Sequence, residues 1–147
     1  MATRSDLVND ELRHAAVFWE VIEYNNWFAL QINGEHYPDK PPLYFWAMAA
    51  VSILMGSPEA WTIFLTVGLS AGFLMFASYR LARDLGGMDR DWATITVLAL
   101  MATFYFVDRA HFPRMDLMFS AFMALSLRSF ALSLDPDRAT RHEVAGF

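Results

Sequence analysis

The stretch from Tyr37 to Trp46 reads YPDKPPLYFW, with Lys40 beside an acid and two prolines where a polar segment becomes apolar. Pro41 and Pro42 remove two backbone donors and fix φ, so Asp39 and Lys40 sit on a stiff, extended stretch that a following helix can take as its first turn. A lysine held in this way suits gripping a phosphate as a point charge; an ordinary interfacial cation is the plain alternative. Upstream, Asp10 and Glu11 are adjacent acids at the head of an amphipathic stretch. Helix starts favour carboxylates through the macrodipole and unpaired amides, and the chemical alternative is one acid as general base with the other positioning a partner or a metal.

Further along, Asp116 lies just inside an apolar run, two residues after Arg114. An acid at that depth is costly unless paired or hydrated, and a simple Arg114 to Asp116 headgroup pair is one way to meet the cost. Arg109 and Arg114 fall in the same short loop, where binding an anion and contacting lipid headgroups are equal explanations. His14, His36 and His111 show no HExxH spacing, and neither a glycine-rich phosphate loop nor a GxSxG elbow occurs.

The elements that must position these residues are set by composition. With 56% hydrophobic, 16% aromatic and 18% charged residues in 147, lipid is a better solvent for this chain than water. Residues 60–79 run without a charge for a length that matches a hydrocarbon core of ~30 Å. Trp61 and Tyr79 mark its ends. Residues 92–107 predict a second span and 115–134 a third, interrupted by Arg128, which is expected to snorkel to the interface. The apolar run 43–55 is stopped by Gly56-Ser57-Pro58 and is too short to cross, so it is expected to lie in the interface.

Before it, Leu12, Ala15, Ala16, Trp19 and Ile22 recur at helical spacing, predicting an amphipathic helix over 10–24 with Asn9 as N-cap. Asn33-Gly34 between two short β-prone runs predicts a hairpin with a type I′ turn.

Charge sets the expected sidedness. Arg80, Arg83 and Arg90 between the first two spans, with Arg138, Arg141 and His142 after the third, mark the cytoplasmic side. Residues 1–58 then form an outer-face loop with two interfacial helices (about 10–24 and 42–55). Three transmembrane helices follow (about 59–80, 91–108 and 114–134), and 135–147 form a cytoplasmic loop leading to a next span. The expected fold class is all-α, a polytopic membrane helix bundle with surface-lying amphipathic helices in its first outer loop. Residues 1–40 carry three basic and seven acidic side chains, an acidity that argues against nucleic acid as a partner. The absence of cysteine removes disulfides and thiolate metal sites.

The run NDELRHAAVFWEVIEYNNWFALQINGEHYPDKPPLYFW resembles the first outer loop of bacterial membrane glycosyltransferases of the C superfamily, which include the lipid A aminoarabinose transferase and the protein O-mannosyltransferases of glycosyltransferase family 39. In that family an Asp-Glu pair opens a surface-lying helix, an Asn-Gly hairpin follows, and a [DE]-K-P-P motif starts a second surface helix. The segments LARDLGG and HFPRMDLMFSAFM are similar to the next cytoplasmic turn and outer loop.

The resemblance implies sugar transfer from a polyprenyl-phosphate donor to an acceptor hydroxyl on a lipid or protein, at the outer face of the cytoplasmic membrane, with inversion at the anomeric carbon. It assigns Asp10 and Lys40 as catalytic: Asp10 near the acceptor oxygen, Lys40 against the leaving lipid phosphate. Glu11, Tyr37, Arg109, Arg114 and Asp116 would contact substrate. A divalent metal ion held by Asp39 is the one cofactor it leaves open. Family members carry a span before the Asp-Glu pair and many after, so the chain is expected to be about a quarter of a larger enzyme. A non-catalytic membrane scaffold or assembly subunit, built on small residues such as Gly68, Ala71, Gly72 and Ala77, is the competing reading. A transporter is disfavoured because the charges gather in loops, not at the midplane of the spans.

Overall fold

The computed structural model describes residues 6–56, 59–112 and 114–134, without the side chains of residues 6–12 and Ala60. The protein is all-α apart from one two-stranded hairpin. In order, the elements are α1 (Asp6–Tyr24), β1 (Gln31–Ile32), β2 (Glu35–His36), α2 (Leu43–Leu54), α3 (Ala60–Asp84), α4 (Arg90–Met101), α5 (Phe104–His111) and α6 (Asp116–Leu134). They divide into two compact units, one comprising residues 1–69 with 111–115 and the other 70–110 with 116–147.

In the first unit, α1 packs against both β1 and α2. Val17, Phe18 and Val21 of α1 are fully buried, as are Phe45, Met48 and Ala49 of α2. Spacings of three and four residues put each set on one helix face, and burying these side chains is the main attraction between the two helices. Asn25 adopts a left-handed conformation (φ 55°) just past the end of α1, and its carbonyl accepts the Trp27 amide at 3.0 Å. The chain reverses there into the hairpin. Gln31 pairs with His36 and Ile32 with Glu35, antiparallel. Asn33 (φ 55°) and Gly34 (φ 77°) both take the positive φ that a type I′ turn requires, which explains why Asn-Gly stands at this point.

α2 has twelve residues, ~18 Å of helix, which is too short to cross a bilayer. Ser52 near its end shares a 2.7 Å hydrogen bond with Thr62 in the first turns of α3, and both are buried. That contact ties the short helix to the long one across the Gly56 break.

Among the described residues, two helices, Trp61–Asp84 and Asp116–Leu134, are long and apolar enough to cross a membrane. The structure differs from the sequence expectation at the second predicted span. α4 and α5 are separate helices bent by 65°, and they reach spanning length only as a broken pair. Thr103 is the physical cause: its hydroxyl donates to the Leu100 carbonyl at 2.7 Å and accepts the Phe106 amide at 3.2 Å. One side chain therefore closes α4 and caps α5, competing with the continuous helical ladder.

α1 also differs, beginning at Asp6. Asn9 is inside the helix and is not its N-cap. At the other end of the long helix, Gly86 follows α3 where a Cβ would stand 2.6 Å from the Ala82 carbonyl oxygen, so only glycine allows this close approach. Arg138, Arg141 and His142 lie outside the described residues.

Candidate functional site

Asp10 and Glu11 occupy the fifth and sixth positions of α1, beyond its first turn, and their side chains lie outside the described residues. The macrodipole acts within the first turn, so it no longer accounts for two acids at this place. One turn further on, His14 is buried with its ring 6.3 Å from Tyr44 and 5.8 Å from Phe45, centroid to centroid. Lys40 lies four residues before Tyr44 in sequence.

Asp39 and Lys40 are exposed, and neither has a hydrogen-bond or ion-pair partner among the described residues. Their backbone is held from both sides. The Tyr37 amide donates to the Leu30 carbonyl at 2.8 Å, extending the hairpin, and the Trp46 amide donates to the Pro42 carbonyl at 3.0 Å, opening α2. Trp46 Nε1 also donates to the Trp27 carbonyl at 2.6 Å, which pins α2 to the segment after α1. Tyr37 is buried, 6% exposed, and anchors the loop in the core.

The second unit treats its charges differently. Arg109 Nη1 donates to Asp116 Oδ2 at 3.0 Å, its Nε lies 3.3 Å from Asp108 Oδ2, and its guanidinium stands 4.9 Å over the Tyr105 ring. Asp116 is thus paired with Arg109, and Arg109 is engaged by two carboxylates and an aromatic face; sequence adjacency had suggested Arg114 as the partner. The Arg114 amide donates to the Phe112 carbonyl at 2.7 Å.

Arg128 does not simply snorkel: its Nε is bonded to Asp84 Oδ2, and Asp84 also accepts from Arg80 Nε at 3.2 Å. Asp84 is buried, so this carboxylate joins α3 to α6. The role of Asp84 was invisible in sequence, since its partner lies 44 positions away.

No group of three or more His, Cys, Asp or Glu among the described residues comes together to hold a metal ion. No step is assigned to a metal at Asp39.

Residues 39–146 match the family model described as dolichyl-phosphate-mannose-protein mannosyltransferase. The chain belongs to this family. It is also similar to the undecaprenyl phosphate-alpha-4-amino-4-deoxy-L-arabinose arabinosyl transferase of Pseudomonas savastanoi pv. phaseolicola (strain 1448A / Race 6), with 25% identity over 142 residues. That match covers 95% of this chain and 26% of the relative, so the chain spans about a quarter of the relative's length. No solved structure matches. Family membership and the apolar helices make the mannosyltransferase-family chain an integral membrane protein. The family match begins at Asp39, with the Asp-Lys-Pro-Pro turn itself.

Proposed function

We propose that this chain is part of a membrane glycosyltransferase that moves a sugar from a polyprenyl-phosphate carrier to an acceptor hydroxyl on a lipid or a protein. The reading is supported by the name of the matched family and of the arabinosyl transferase relative, both of which specify a polyprenyl-phosphate-linked sugar. The observation that carries it to particular residues is Lys40: an exposed cation, without a partner among the described residues, on a backbone fixed by the hairpin on one side and Pro41-Pro42 on the other.

In the proposed reaction the acceptor oxygen attacks the anomeric carbon, the bond from that carbon to the phosphate oxygen breaks, and the lipid phosphate leaves with the electron pair. Asp10 takes or orients the acceptor proton, and Glu11 beside it holds the acceptor. Lys40 meets the negative charge that grows on the leaving phosphate. Attack from the face opposite the phosphate inverts the anomeric carbon. The pairing of Arg109 with Asp116 suits a part in shaping the second loop around the donor, and Arg114 contributes a further cation to the same loop. The site faces the exterior of the cytoplasmic membrane, with the arginines between α3 and α4 on the opposite side.

A preorganised cation of this kind acts most strongly on the charge that grows on the leaving phosphate and remains on the lipid phosphate product. Replacing Lys40 by alanine in the membrane-embedded protein is therefore expected to collapse transfer from a polyprenyl-phosphate sugar while the amount of folded protein stays constant. Normal transfer by K40A contradicts the proposal.

A further inference from the structure

The Asn33-Gly34 turn leaves the Asn33 amide without a partner inside the hairpin. With Ile32 and Glu35 as the closing pair, the amide of Asn33, first residue of the two-residue turn, has no acceptor in the two-stranded ladder. Glu20, thirteen residues earlier on α1, supplies the acceptor: its Oε1 receives the Asn33 N–H. The other carboxylate oxygen, Oε2, is buried with no hydrogen-bond partner among the described residues. A half-buried carboxylate that keeps one fixed donor is held at a definite place, because leaving that amide or that oxygen unmatched costs free energy.

The consequence runs along the chain. From the turn, β2 leads to Tyr37, whose amide is bonded to Leu30 and whose ring is in the core, and the next exposed residues are Pro38, Asp39 and Lys40. The far end of this loop is pinned by Trp46 on the Trp27 carbonyl. Its near end is pinned to α1 through Glu20.

We propose that Glu20 is a positioning residue that fixes the Asp39-Lys40 turn relative to α1, the helix that carries Asp10. Glu20 acts through the Asn33 amide and touches no substrate. The inference rests on the role given to Lys40, and its test separates the two.

The chain has no cysteine, so a single cysteine at position 39 carries a nitroxide whose mobility reports the turn directly. With Glu20→Ala, and with Glu20→Asp, whose shorter stem draws the carboxylate away from Asn33 while keeping its charge, the label is expected to become more mobile. Without the label, the same two variants are expected to lower kcat roughly tenfold or more, more than they change KM for the lipid donor. Glu20→Gln retains an oxygen that accepts the same N–H and is expected to keep both an immobile label and wild-type kcat. If Glu20→Ala folds poorly, the contrast between Glu20→Asp and Glu20→Gln answers alone. A label equally immobile in Glu20→Asp and Glu20→Gln overturns the inference. A mobilised label with unchanged turnover upholds Glu20 as the anchor and instead contradicts the role of Lys40.

Discussion

The two units handle charge in opposite ways. In the second, Asp84 is bound by Arg80 and Arg128, and Arg109 by Asp116 with Asp108 close by. In the first, Asp39 and Lys40 stand exposed and without a partner among the described residues, on a backbone that is nevertheless fixed. Ion pairs that cross between helices serve to hold those helices, since a charge at low dielectric is stable only when matched. A cation on a fixed backbone, with no partner among the described residues, has its electrostatic field directed at whatever approaches it. The difference separates charges that build the fold from charges offered to a ligand, although both kinds look alike in a list of arginines, lysines and acids.

Substitutions break or sharpen this contrast. The largest effect is expected at Lys40, where alanine lowers turnover by roughly 10²- to 10³-fold. Because the side chain is exposed, thermal unfolding of the same variant moves by less than about 0.5 kcal/mol. Asp84 should behave in the reverse sense. Asp84→Ala strands Arg80 of α3 and Arg128 of α6 and is expected to cost about 3 kcal/mol of stability, read from denaturant or thermal unfolding in detergent. Adding Arg128→Leu removes one stranded charge, so the double variant is expected to recover part of that loss; strictly additive losses would show that the pair does not hold α3 to α6. A smaller effect is expected at Gly34. Its φ of 77° lies where a Cβ is strained, although nothing stands within 4 Å of that Cβ, so Gly34→Ala should cost about 1 kcal/mol without a steric clash.

What sequence could reveal follows the range of the interactions involved. Asn33-Gly34 announces its turn because only residues tolerant of positive φ fit there, and α2 announces its length because Gly56 follows it. The long apolar runs 60–79 and 115–134 carry their helices in their hydropathy. By contrast, the break between α4 and α5 turns on where the Thr103 hydroxyl points, and an apolar run that includes a threonine does not disclose that. Sequence proximity favours Arg114 as the partner of Asp116, yet α5 presents Arg109 to it from seven positions away. The sequence sets Arg128 against the lipid alone because its carboxylate partner belongs to another helix. Among the site residues, the Asp-Lys-Pro-Pro turn was legible because proline restricts the backbone locally, whereas Glu20 was not, since its role depends on an amide brought to it by the fold.

The most direct measurement of the account is the affinity of the membrane-embedded protein for a polyprenyl phosphate without sugar, compared between Lys40→Ala and Arg109→Ala at matched folded amounts. An unpaired lysine on a fixed turn should lose at least about tenfold in apparent Kd when removed, since a charge-assisted contact contributes ~1.5–3 kcal/mol. Arg109, already engaged by Asp116 and near Asp108, should change affinity far less. Equal affinities for Lys40→Ala and the parent protein, or a larger loss at Arg109 than at Lys40, would contradict the division between the two units.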